Sequence, residues 1–134
     1  MMDFLFFASA DHQVTRRLQE MVEAVVPEEN RATYRDIRAL SKRLCEPAKG
    51  ERIVLLSASS QQDLSLIQSI SSLLSDESII IILPDREADT IAMGHSLHPR
   101  FLTYADSDFT ELAGVLVKML TTSASGRTSQ KSRM

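Results

Sequence analysis

The chain has 134 residues, of which 43% are hydrophobic and 25% charged, with a formal net charge of −3. Those proportions fit one ordinary globular domain and exclude a disordered, collagen-like or disulfide-scaffold chain. No apolar run approaches the roughly 20 residues that span a bilayer, and the single Cys45 cannot form an internal bridge, which suits a reducing cytoplasm.

The first ten residues lack a basic leader region and carry Asp3, so Phe4–Ala8 reads as a buried strand and not as a signal peptide. Val14, Leu18, Met21, Val22 and Val25 come next at helical spacing and make one apolar stripe, broken by Pro27. A second strand is expected around Asn30–Tyr34, with Val25–Val26 as the alternative. Ile37, Leu40 and Leu44 then mark a helix with Asp36 as a possible N-cap, ending near Glu46-Pro47.

Ile53–Leu56 is a clear buried strand, and Leu64, Ile67, Ile70 and Leu74 predict one helix over residues 61–74. Ile79–Leu83 is the strongest strand, β-branched and stopped by Pro84. A short helix over 87–96 ends at Gly94 and Pro99, then come a strand at Phe101–Tyr104 and a last helix through Leu112, Leu116, Met119 and Leu120. Residues 123–134 lack periodicity and read as a mobile tail or linker after a domain of residues 1–122. The alternation, with right-handed crossovers, implies a five-stranded parallel sheet with helices on both faces.

The order and spacing of these segments resemble the receiver domain of two-component response regulators. Phe4-Leu5-Phe6-Phe7 with Thr15-Arg16-Arg17-Leu18 looks like its opening strand and helix. Ile53-Val54-Leu55-Leu56-Ser57 is similar to the strand that carries the phosphoacceptor Asp. Ile80–Asp85 and Phe101–Ala105 resemble the last two strands. The resemblance implies a flavodoxin-like, three-layer α/β/α domain whose five parallel strands take the order 2-1-3-4-5.

The resemblance also implies where phosphoryl transfer would occur, and the required residue types are missing. The acidic-pair positions fall at Ala8 and Ser9, the acceptor at Ser57, the hydroxyl at Pro84 and the lysine at Tyr104. Magnesium needs oxygen ligands, and a transferring phosphoryl group needs a cation and donors around it. A serine hydroxyl cannot replace the carboxylate acceptor without an activating base. The resemblance therefore implies a pseudo-receiver: non-catalytic, without cofactor or metal, acting in two-component-type signalling or transcription control.

Function would then reside in surfaces. Met93, Leu97, Tyr104, Val115 and Val117 widen the apolar content of residues 87–120 beyond one sheet-facing stripe and are the candidate interface for a homodimer or a protein partner. Arg31, Arg35, Arg38 and Lys42 step by helical intervals and form a candidate basic stripe if the helix begins early. The acidic remainder of the domain makes nucleic acid the less expected partner, and no membrane is implied.

Two other readings stay open. One is a small ligand-binding or enzymatic domain using Asp11, Ser57, Ser59 or Asp85 at the carboxyl ends of the strands. The other is a nucleic-acid module using residues 31–43. Ser57–Ser60 lacks the glycine of a phosphate loop or nucleophile elbow. His95 and His98 have metal-compatible spacing, but Gly94 and Pro99 beside them indicate a helix-end turn.

Overall fold

A computed structural model describes residues 2–9, 13–47 and 50–124. Five parallel strands form one sheet in the order β2-β1-β3-β4-β5. They are β1 (Met2–Ala8), β2 (Arg31–Tyr34), β3 (Glu51–Ser57), β4 (Ser78–Leu83) and β5 (Phe101–Tyr104). The α-helices are α1 (Gln13–Val25), α2 (Ile37–Cys45), α3 (Gln61–Gln68), α4 (Ser71–Leu74), α5 (Ala88–His95) and α6 (Thr110–Ala124), and a 3-10 turn at Glu28–Asn30 leads into β2. This is the three-layer flavodoxin-like arrangement expected from the sequence, with the second strand at its later position. Among the described residues no helix is long and apolar enough to cross a membrane.

The three central strands carry continuous apolar runs, Phe4–Ala8, Ile53–Leu56 and Ile79–Leu83, because both their faces are covered there. Alternation divides their side chains into two cores. Phe4, Phe6, Ile53, Leu55, Ile80 and Ile82 point to the face covered by α1 and α6, where Leu18, Val22, Leu112 and Leu116 meet them. Leu5, Phe7, Val54, Leu56, Ile79, Ile81 and Leu83 point to the other face, against Leu40, Leu44, Leu64, Ile67 and Leu74. Each such side chain, buried from an exposed state, contributes about 1.5–3 kcal/mol.

Three local details differ from the expected elements. The single helix over 61–74 is broken at Ser69-Ile70, between α3 and α4. The Ser69 hydroxyl donates to the Leu66 carbonyl at 2.5 Å, and Ile70 N–H bonds Ile67 O three residues back, which tightens and ends the turn. Gly94 lies inside α5 and does not end it. A Cβ there would stand 3.0 Å from Leu83 Cδ2 and 3.1 Å from Leu102 Cδ1, so glycine lets α5 lie close on the sheet. The last helix runs to Ala124, so Ser123 and Ala124 continue it, and residues 125–134 of the expected tail lie outside the described residues.

The amino-terminal edge of the sheet holds a buried ion network. Arg52 on β3, 7% exposed, donates to both Glu77 carboxylate oxygens at 3.1 and 2.9 Å. Its remaining N–H groups reach the carbonyls of Leu44 at 3.2 Å and Glu46 at 3.1 Å, capping the end of α2. Arg43 bonds Asp3 at 2.7 Å and so ties α2 to β1.

Candidate functional site

In a doubly wound sheet the crevice opens at the carboxyl ends of the strands where the winding reverses. With the order 2-1-3-4-5, that point lies between β1 and β3. Ala8 and Ser57 are register partners there, and Ser57 is only 5% exposed.

The crevice is closed by one carboxylate that the sequence reading overlooked. Asp63, in the first turn of α3 and 8% exposed, accepts through Oδ2 from the Ser9 hydroxyl at 2.7 Å. The same oxygen accepts from the Ser59 hydroxyl at 2.6 Å and the Ser59 N–H at 2.9 Å. The Ser60 hydroxyl caps α3 by accepting from Asp63 N–H at 3.2 Å. In Ser60-x-x-Asp63, then, the serine caps α3 while the carboxylate reaches past it to Ser59 and across to the end of β1. That pattern was the available signal for it.

A second cluster covers the ends of β4 and β5. Pro84, at the hydroxyl position of the resemblance, leads to Asp85, whose Oδ1 accepts from Glu87 N–H at 3.0 Å in a local turn. Arg86 Nη1 lies 2.9 and 2.7 Å from the two Asp106 oxygens, and its guanidinium carbon sits 4.1 Å from the centroid of the Tyr104 ring. The hydrogen bond from Arg86, reinforced by its charge, holds the Asp106 carboxyl below its ordinary range. The reciprocal bond raises the Arg86 guanidinium. Tyr104, at the lysine position, is thereby held under a cation supplied by another loop. No local pattern signals this clasp, because Arg86 sits between Asp85 and Glu87 and reads as loop charge.

Between the clusters, Gln61 Nε2 donates to the hydroxyl of Thr90 at 2.9 Å, and Thr90 is fully buried. Asp85 and Asp106 do not converge on a shared cation site, since one closes its own turn and the other pairs with Arg86. Asp11 lies outside the described residues. Among the described residues no three His, Cys, Asp or Glu side chains stand close enough to hold a metal ion. His95 ends α5 and His98 takes a left-handed φ of 53°, both exposed in the expected helix-end turn.

The candidate surfaces change in extent. Leu97 is 7% exposed and belongs to the core, while Met93 and Val115 are half-buried against the two cores. Tyr104 is half-buried beneath Arg86. Val117 stands clear at 51% exposure. The basic residues do not form one helical stripe. Arg31 lies on β2 with its guanidinium on Val26 O at 2.8 Å, Arg35 lies in a bend, and α2 starts only after Asp36, whose side chain accepts from Arg38 N–H. Arg38 and Lys42 remain together on exposed α2.

Comparison of the chain with family models, characterised proteins and solved structures finds no match in any of the three.

Proposed function

We propose that this domain is a receiver-like signalling module without a phosphorylation switch, which works by docking another protein through the side formed by β5, α5 and α6. The observation that carries the reading is the Ser9–Asp63–Ser59 cluster. It spans the crevice where a receiver would hold its cation and phosphoryl group: the 2.7 Å bond from Ser9 joins the end of β1 to α3, and two bonds from Ser59 hold the same Asp63 oxygen. The acceptor position carries Ser57, a hydroxyl without the carboxylate chemistry of an acyl phosphate. At the lysine position Tyr104 is engaged by Arg86.

A domain of this kind signals through surface shape. Val117 and the half-buried residues of β5 supply the apolar part of such a surface, and the Arg86–Asp106 clasp supplies a fixed polar rim.

The test is incubation with acetyl phosphate and Mg²⁺, followed by intact-mass analysis. The mass should not change. A stoichiometric gain of about 80 Da, the mass a transferred phosphoryl group adds, would overturn the reading. For the docking half, Val117→Glu should abolish capture of a specific partner while leaving the circular dichroism spectrum as it was. Capture unaffected by Val117→Glu would place the contact on another face.

A further inference from the structure

β2 is an edge strand with β1 on one side and no described strand on the other. Its register with β1 assigns the faces. Arg31 and Thr33 share the α1–α6 face with Phe4 and Phe6, while Ala32 and Tyr34 point to the opposite face and pack on that core. Thr33 is exposed, so the rim of the strand is open there.

Short length and flanking charge ordinarily protect an edge from adding another strand. Here the charges are sorted by sign along the strand. Glu28 and Glu29 stand exposed at its amino end, and Arg35, Arg38 and Lys42 stand exposed beyond its carboxyl end. An edge charged in this way repels a copy laid parallel in register and attracts one laid antiparallel. One surface therefore carries both halves of its own complement, which is the requirement for a two-fold interface.

We propose that the β2 edge binds a second copy of this chain, pairing antiparallel to its own equivalent about a two-fold axis at Ala32. A two-fold axis normal to the sheet keeps every side chain on its own face. With the axis at Ala32, Arg31 lies opposite Thr33 and Glu29 opposite Arg35 of the other copy, while Glu28, in the 3-10 turn before the strand, falls level with Asp36. An axis at Thr33 would instead set Arg31 against Arg35, like against like. Asp36 runs counter to the charge pattern, but its carboxylate already accepts from Arg38 N–H at 3.0 Å as the cap of α2. The Arg31 guanidinium is folded back onto Val26 O and is drawn off the rim. The surface lies at the opposite edge of the sheet from β5, so it does not depend on the docking role proposed above.

Sedimentation of the full 134-residue chain from micromolar to millimolar concentration tests this. Glu29→Lys and Arg35→Glu should each weaken the dimer by about tenfold, because each reversal acts at two symmetry-related contacts. The double variant recreates both pairs with signs exchanged and should return close to the unmodified affinity. Raising salt to about 0.5 M should weaken the unmodified dimer by screening. Both side chains are exposed, so circular dichroism should be unchanged in every variant. If a reversal does cost folding, the salt series on the unmodified chain decides alone. A chain monomeric at millimolar concentration overturns the proposal. So does a dimer indifferent to both reversals, a double variant no better than either single one, or a dimer broken by Val117→Glu alone.

Discussion

Replacing Arg52 by Met should be among the most damaging single changes in the domain, although Arg52 touches no candidate functional residue. Its side chain is 5% exposed and that of Glu77 is 12% exposed, so the pair is largely shielded from water. The guanidinium bonds both Glu77 oxygens and the carbonyls of Leu44 and Glu46. Burial opposes the charge, yet the Glu77 hydrogen bond outweighs it and raises the Arg52 guanidinium above its usual value. Methionine fills the space of the stem but leaves a buried carboxylate unpaired and the end of α2 uncapped. Removing one partner of a buried pair costs about 3–5 kcal/mol. Against a total stability of about 5–15 kcal/mol, that is a large share. At this chain length the thermal midpoint should fall by roughly 10–20 °C. Urea unfolding followed by circular dichroism measures the loss directly. Arg52→Met combined with Glu77→Leu should recover more than half of it, since an apolar pair of similar volume carries no stranded charge. A single variant within about 1 kcal/mol of the unmodified protein would refute the idea that this network holds the amino-terminal edge together.

Two more outcomes are expected at the carboxyl edge. Asp63→Ala should destabilise the domain by about 1 kcal/mol in urea unfolding, since Ser9 and Ser59 are exposed and water takes up their freed donors. Asp63→Asn, which keeps an acceptor, should lose less, and equal losses would mean the hydrogen bonds are not the cause. The Arg86–Asp106 clasp should depend on pH with a definite sign. The folded-state pKa of Asp106 is depressed below 3.8, so its contribution is complete above that unfolded-state value and is lost as pH falls through the lower folded one. Ring resonances of Tyr104 should shift over that acidic window, and Arg86→Ala should return Asp106 to the ordinary range. An Asp106 that titrates ordinarily in the unmodified protein would rule the clasp out.

The central strands were legible because burial on two faces forces continuous apolar runs such as Ile79–Leu83, whereas the edge strand β2 has no such run, and the strand order followed from the resemblance. Asp36 as the cap of α2 was legible for a similar reason, being local chemistry visible in a few residues. The failures are tertiary. The basic stripe required Arg31 and Arg35 to join a helix, but pairing with β1 drew 31–34 into the sheet. Leu97 looked surplus because the helical pattern of α5 carries no information about the direction of the chain beyond its last turn. The chain turns back at His98, and Leu97 drops into the core. Gly94 looked like a stop, whereas the close approach of Leu83 and Leu102 explains it. Arg86 and Asp106 lie twenty residues apart, and their bond exists only because β4 and β5 are neighbours.

The placement of polar groups bears on what the domain can do. At the amino-terminal edge, Arg52, Glu77, Arg43 and Asp3 bind elements to one another, and at the carboxyl edge Asp63, Ser9 and Ser59 do the same. A ligand that displaced the bonds to the buried Asp63 oxygen would have to replace them or leave it unpaired, at a cost of about 1–3 kcal/mol. Surface contacts carry no such penalty. Val117 on α6 and the sorted charges beside β2 are already turned outward, and binding there leaves the internal network intact. This difference in cost supports the docking proposed for the two sides of the sheet.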